Sequence, residues 1–305
     1  VPIWKSLLMH VQRFLASAWA SVHGPSDPRR LLLSVLEARF AGLAMSPGPR
    51  ALDAGALSAA AADLPFEFAV TRANDPLSDH SATAGFPSGR EGERQMARRA
   101  VHDAVLTARA VGNPLVVLDV GVVPVVGDVL AEDLGDPQMR WSKETADALL
   151  ARRKVGRNAA VDRVCRGLFE CIRDYPEIQF CLTQSRSLRG VLDVAAMRDI
   201  CEDLASKKLG YWHDAAICAR RQQVLAEPAG EWLEIFGNRC RGMSLGDASP
   251  DGLYLPPGAG GVDYGMLATY VPTSGAPLPV VLELDVSVPA SELPGMRSCL
   301  DKFGL

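Results

Sequence analysis

The chain has 305 residues, 48% of them hydrophobic and 22% charged, with a formal net charge of -4. A chain of this length buries about three quarters of its unfolded surface, so its core needs no covalent staples. The mild acidic balance argues against a nucleic-acid or membrane-surface partner, and no apolar run reaches the roughly 18 residues of a membrane span.

Val1 to Met9 is apolar but short, and no small-residue cleavage site follows it, so it does not read as a signal peptide. From there, short β-type runs alternate with helical patterns. Strands are predicted at Phe14–Ala20, Phe40–Met45, Phe66–Arg72, Pro114–Val120, Ile178–Thr183, Leu209–His213, Arg239–Leu245 and Pro279–Leu284. Between them, Ser26-Asp27-Pro28 opens a helix carrying Leu31, Val35 and Leu36, and Asp53 caps an Ala-rich segment to Ala62. Gly89 to Ala110 has Met96, Ala100, Ala104 and Ala108 at helical spacing, with Gly112 as a stop. Asp193 and Asp263 open two further helices. Arg152-Arg153-Lys154 and Arg157 read as a solvated helix face, with phosphate binding as the alternative. Eight strands alternating with helices predict an α/β chain, one (β/α)8 TIM-barrel domain over residues 1–305. No Gly-rich phosphate turn follows any strand, which disfavours an open doubly wound sheet.

Two long stretches leave the C-terminal ends of predicted strands, where TIM barrels build their sites: 74–89 and 122–142. They read as lids or substrate walls at the mouth. The seven cysteines, at 165, 171, 181, 201, 218, 240 and 299, are odd in number, irregular in spacing and without a CxxC. They read as reduced core thiols of a cytoplasmic protein.

Four stretches carry a resemblance. They are Trp212-His213-Asp214, Met243-Ser244-Leu245-Gly246-Asp247, Pro256-Pro257-Gly258-Ala259-Gly260-Gly261-Val262-Asp263-Tyr264 and Val280-Val281-Leu282-Glu283-Leu284. In this order they resemble the second half of a xylose isomerase-like TIM barrel, the superfamily of divalent-metal sugar isomerases, epimerases and endonuclease IV-type nucleases. The resemblance implies a metal at the mouth held by Glu, Asp, His and Glu from strands five to eight. It also implies a cation that polarises the substrate carbonyl while glutamates move the proton.

Carried over by position, the ligand set is mixed. Gln184 stands where the family has Glu, Asp214 matches its Asp, and Glu283 matches its last Glu. Ser244-Leu245-Gly246-Asp247 keeps the aspartate of a His-x-x-Asp pattern but not the imidazole. Ile217 replaces another His. Positions 184, 214, 244 and 283 lie 30, 30 and 39 residues apart, one βα unit each.

The resemblance therefore implies either one weakly bound divalent metal (Mg, Mn, Co or Zn) at Asp214 and Glu283, or none. The nuclease branch places a His near Asp119, at the end of strand four, and lacks it here.

Three functions stand open at this point. One is a divergent sugar or polyol isomerase or epimerase with Glu283 as base and Asp214 as ligand or acid. Another is a catalytically inactive binding or interaction protein, and the third is a metal-independent enzyme in the same pocket. Gln184, Arg186, Ser244, Asp247, Asp119 and His23 are the expected ligand contacts. Arg72, also at a strand end, is a candidate for an anionic or hydroxylated ligand. The next strand residue after an inward one points outward, so His213 should pack against helices if Asp214 faces the mouth. His80 is a lesser site candidate, and His10 and His102 are expected to have no role. The expected partner is a small polyhydroxylated ligand or a protein, with no nucleic acid and no membrane. The resemblance adds a homo-oligomer.

Overall fold

The computed structural model of the chain describes residues 11–73, 85–125, 133–138 and 141–305. Barrel strands β1 (Val11–Ala16), β2 (Gly42–Met45), β3 (Glu67–Arg72), β4 (Leu115–Leu118), β5 (Gln179–Leu182), β6 (Leu209–Asp214) and β7 (Cys240–Leu245) come first. A hairpin of β8 (Asp247–Ser249) and β9 (Gly252–Leu255) follows, and β10 (Leu278–Leu282) completes the set. The strands close in the order β1-β10-β7-β6-β5-β4-β3-β2 with every neighbour parallel, a (β/α)8 TIM barrel. Around it run α1 (Ser17–His23), α2 (Pro28–Glu37), α3 (Ala54–Ala61), α4 (Glu91–Ala110), α5 (Lys143–Asp174), α6 (Val194–Leu204), α7 (Ala215–Leu225), α8 (Glu231–Phe236), α9 (Tyr264–Thr269) and α10 (Leu293–Asp301).

Local chemistry sets most of the helix starts. Asp27, Asp53, Ser142, Asp193, Asp214 and Asp263 each precede a helix in extended or non-helical backbone, and each side chain accepts an N–H of the first turn. Two expectations need correction. The first strand ends at Ala16, not Ala20, because Ser17 begins α1. The small residues there favour a helix, and the Trp19 indole N–H donates to the Val288 carbonyl at 2.8 Å. Arg153 is not on a solvated face. It is buried, its guanidinium donates to the Gly190 and Val191 carbonyls at 2.8 Å each, and it pairs with Asp193 at 2.8 Å.

Of the two mouth stretches, 74–84, 126–132 and 139–140 lie outside the described residues, and so does His80. The same holds for Val1 to His10. The described parts are stitched to the mouth by isolated bridges between Gly85 and Gly121, Val122 and Gly190, and Asp133 and Ser187. All seven cysteines are free thiols. Among the described residues, no helix is long and apolar enough to cross a membrane.

The period of two along each strand decides what reaches the site. Phe14, Val70, Val117, Cys181, Trp212 and Val281 form the cluster inside the barrel. Their neighbours Leu15, Val116, Leu118, Phe180, Leu182, Tyr211, Val280 and Leu282 pack outward in the larger cluster under the helices. Two residues beyond the inner set come Ala16, Arg72, Asp119, Thr183, Asp214 and Glu283, which share its direction at the C-terminal mouth.

Trp212 floors that mouth, and it fits because Gly242 opposite has no side chain. A Cβ there would lie 2.2 Å from the Trp212 ring and 2.9 Å from the Pro279 carbonyl oxygen. Gly242→Ala is therefore expected to destabilise the protein by about 1–3 kcal/mol through overpacking. Urea unfolding followed by tryptophan fluorescence measures this, and an unchanged midpoint would show that the floor is loosely packed.

Candidate functional site

A cavity of about 220 Å³ opens at the C-terminal mouth, with Arg72, Asp119, Thr183, Gln184, Arg186, Tyr254 and Glu283 in its wall. Its centre is an ionic knot. Arg72, at the end of β3, donates from Nη1 to Glu283 Oε2 at 3.0 Å and from Nη2 to Asp214 Oδ2 at 3.3 Å. Burial opposes the guanidinium charge, but Glu283 and Asp214 outweigh it and hold the Arg72 pKa above its ordinary value.

Asp214 is fully buried, and neither of its oxygens is idle. Oδ1 caps α7 by accepting the Ile217 N–H at 3.1 Å. Oδ2 accepts from Arg72 and from the Tyr254 hydroxyl, the latter at 3.1 Å. Burial, and then the charge of Asp214, push the Tyr254 pKa well up, so the phenol stays protonated and donates.

Tyr254 sits on β9 with φ 59°, in the left-handed region that costs a non-glycine residue roughly 1–2 kcal/mol. Its carbonyl accepts the Asp285 N–H at 2.9 Å, which pins the strained residue beside the end of β10. Strain of this kind is characteristic of sites where a side chain must be aimed.

Gln184 lies just past β5. Its amide N–H donates to the Tyr211 hydroxyl, and its carbonyl accepts the Asp214 N–H at 3.4 Å. With its oxygen accepting from Gln184, Tyr211 donates its own proton to His213 Nδ1 at 2.7 Å. His213 faces outward under the helices, as strand parity requires, and is fully buried. Its other nitrogen, Nε2, has no partner among the described residues. Burial lowers its pKa from 6.5 to about 3. The neutral imidazole and the phenol together set which way the Gln184 amide faces.

The remaining expected contacts divide. Asp119 is in the cavity wall, with Oδ1 accepting the Gly121 N–H at 2.9 Å. Arg186 is in the wall and pairs with Asp133 at 2.7 Å, fastening the second mouth stretch. Ser244 faces the barrel floor, where its hydroxyl accepts the Trp212 indole N–H at 3.0 Å. Asp247 serves the Pro256–Val262 loop, since its carboxylate accepts the N–H groups of Ala248, Gly258 and Val262 at 2.9 Å each. That explains the glycines of the motif. Gly258 has φ 92°, and a Cβ on Gly260 would lie 2.5 Å from Asp247 Oδ1. His23 stacks on Trp19 and contacts the Val286 carbonyl at 2.8 Å, beside the cavity and not in its described wall.

Neither a family model nor a curated protein matches the chain. Solved structures do. A D-tagatose 3-epimerase-like protein is similar at 17% identity and TM-score 0.67, over 96% of this chain and 97% of that one. A xylose isomerase domain protein from Planctomyces limnophilus is similar at 14% identity and TM-score 0.63, over 97% and 98%. A 3-keto-D-glucoside 4-epimerase from E. coli is similar at 12% identity and TM-score 0.63, over 96% and 99%. The chain has the xylose isomerase-like TIM-barrel fold. The likeness is one of fold, because function resides in the side chains of a site and not in its scaffold.

Within that fold, no described group of three or more His, Cys, Asp or Glu side chains is arranged to hold a metal ion. Among the wall residues, Thr183 and Tyr254 lie outside the sequence-derived candidates, whereas Arg72 is one of them. Arg72 stands at an inward strand position, a signal present in the sequence, but its partners are 142 and 211 residues away. Thr183 shares that parity. Its hydroxyl is buried and has no partner among the described residues. Tyr254 comes from a hairpin inserted after β7, which no strand count predicts.

His213 generates a test of the network behind Gln184. Its pKa is lower in the folded chain than in the unfolded one, so below about pH 6.5 the unfolded chain takes a proton that the folded chain refuses. Stability is then lost as pH falls from 6.5 towards 3, by up to about 1.4 kcal/mol per pH unit from this one group. In His213→Phe the unfolding free energy should fall less steeply over that window. An identical acid limb in the two proteins would contradict a neutral buried imidazole.

Proposed function

We propose that the barrel mouth binds a small, neutral polyhydroxylated molecule, and that it does so without the metal-assisted, two-carboxylate exchange of sugar epimerases. The observation that carries this reading is Gln184. At the position matching a family glutamate stands an amide, which takes no proton at neutral pH. Tyr211 and the Asp214 N–H engage it at both ends. An exchange that removes a proton on one face of a carbon and returns it on the other needs two bases. Of the matched pair, Glu283 alone remains in the cavity wall, held by Arg72.

The donor set also argues against a resident divalent ion. Asp214 gives its oxygens to Ile217, Arg72 and Tyr254, and Glu283 gives Oε2 to Arg72. Ser244, at the position of the family imidazole, is turned to Trp212. In this reading the inherited metal site is degenerate. What the wall offers a hydroxylated ligand is the Thr183 hydroxyl, which has no partner among the described residues, the side chains of Asp119 and Arg186, and the edge of Glu283.

A second reading rests on Glu283 itself. A carboxylate at the wall, polarised by a guanidinium, can act as a single base in a metal-independent isomerisation, moving one proton between adjacent carbons of the bound molecule.

The two readings separate in one experiment. The purified protein, treated with EDTA, is titrated calorimetrically with free pentoses, hexoses, polyols and their phosphates. Each ligand that binds is then incubated in D2O and followed by proton NMR. Saturable binding of a neutral member without metal, with no loss of any carbon-bound proton signal, is the expected result. Deuterium incorporation that stops in Glu283→Gln would replace the binding reading with the single-base isomerase.

A further inference from the structure

Asp214 ends β6 and Glu283 directly follows β10, and both point into the mouth. Asp214 is fully buried and Glu283 is 8% exposed. Two carboxylates withdrawn from water need a counter-charge between them, since like charges in a poorly screened site destabilise each other. A divalent ion is one way to supply it, and a guanidinium is another. In the ring order, β3 stands three places from β6 in one direction and three places from β10 in the other. The Arg72 side chain therefore spans the mouth, not an edge of it, and its two terminal nitrogens divide between the two acids at 3.0 and 3.3 Å.

We propose that Arg72 is the resident cation of this site. Its guanidinium stands in for a divalent ion, tethered to β3, and the acidic pair is a cation-binding site whose cation is part of the chain. Three features of the site converge on this assignment. The Tyr254 phenol is held in left-handed backbone so that it donates to the same Asp214 oxygen as Arg72, completing a donor shell around that carboxylate. Asp214 Oδ1, the oxygen that does not face Arg72, is consumed by the α7 cap. The knot carries one positive and two negative charges, and among the described residues no group of three or more His, Cys, Asp or Glu side chains could hold a metal ion. The assignment holds whether the cavity only binds its ligand or also turns it over, because it concerns what neutralises the acids and not what the ligand does.

The test removes the tethered charge and asks whether a free one takes its place. The full chain is prepared as wild type, Arg72→Gln, Arg72→Lys and Arg72→Ala. Mn2+ binding is read by electron paramagnetic resonance and thermal stability by circular dichroism. Wild type and Arg72→Lys, which keeps the charge, are expected to leave added Mn2+ free and to show no thermal shift. Arg72→Gln is expected to bind about one Mn2+ per chain with affinity raised by at least about tenfold, the order of change seen when a metal-site partner is altered. Its melting temperature should rise with added Mn2+, because a ligand that binds only the folded chain stabilises it.

Low-millimolar guanidinium should raise the melting temperature of Arg72→Ala while leaving wild type unchanged. Where Arg72→Ala does not fold, Arg72→Gln, which keeps most of the side-chain bulk, carries the test alone. A folded Arg72→Gln whose Mn2+ affinity and melting temperature match those of wild type overturns the proposal. So does a wild-type protein that binds one Mn2+ per chain and loses it in Glu283→Gln, because the metal and the guanidinium would then have separate places.

Discussion

A fork of one guanidinium between two carboxylates organises the mouth of this barrel. Arg72 reaches from β3 to Glu283 on one side and Asp214 on the other. An acid as deeply buried as Asp214 is tolerated only with its charge paired and its lone pairs satisfied. Arg72, Tyr254 and the Ile217 N–H meet that demand together. The same carboxylate caps α7, so the ionic knot also marks where β6 ends and the next helix begins. Site and scaffold share an atom group at this point, and a change to Asp214 would be felt in both.

The knot forms because strand parity and barrel closure act together. Alternation along β3, β6 and β10 sends Val70, Trp212 and Val281 inward, and so it sends Arg72, Asp214 and Glu283 inward two residues later. Closure then faces strands that are far apart in the chain towards one axis. Gly242 admits the Trp212 ring to the barrel interior, and the Trp212 indole N–H in turn donates to the Ser244 hydroxyl. Behind the wall, Tyr211 and His213 hold Gln184 by an outward-facing chain of hydrogen bonds. An acidic mouth is thus built around a neutral amide that the wall holds at both ends.

Much of the fold was legible because its causes are local. Aspartate caps at Asp27, Asp53, Asp193 and Asp263 announce their helices in the sequence, and each is seen capping. Most of the eight barrel strands carry β-branched or aromatic residues, β2 (GLAM) and β7 (CRGMSL) being the exceptions, and seven of the predictions match the observed elements with only small shifts at the ends. The first strand lies at Val11–Ala16 and not at Phe14–Ala20: the small residues after Ala16 favour a helix, and the Val288 carbonyl that docks Trp19 of that helix is 269 residues away in the chain. Arg153 was misread for a similar reason. Its buried partners, the carbonyls of Gly190 and Val191, lie 37 and 38 residues away, and nothing in a basic run reveals them.

By itself, the sequence determined the barrel, the placement of positions 184, 214, 244 and 283 one βα unit apart, and the presence of a neutral amide and a hydroxyl at two of them. These follow from residue identity and from the period of βα units. Only the tertiary structure decided what the acids of the mouth are bound to. Asp247 turned out to hold a glycine loop by three backbone N–H groups. Asp214 and Glu283 turned out to share one arginine. Pairings across a closed barrel join residues 142 and 211 positions apart, and their geometry exists only after the ring has closed.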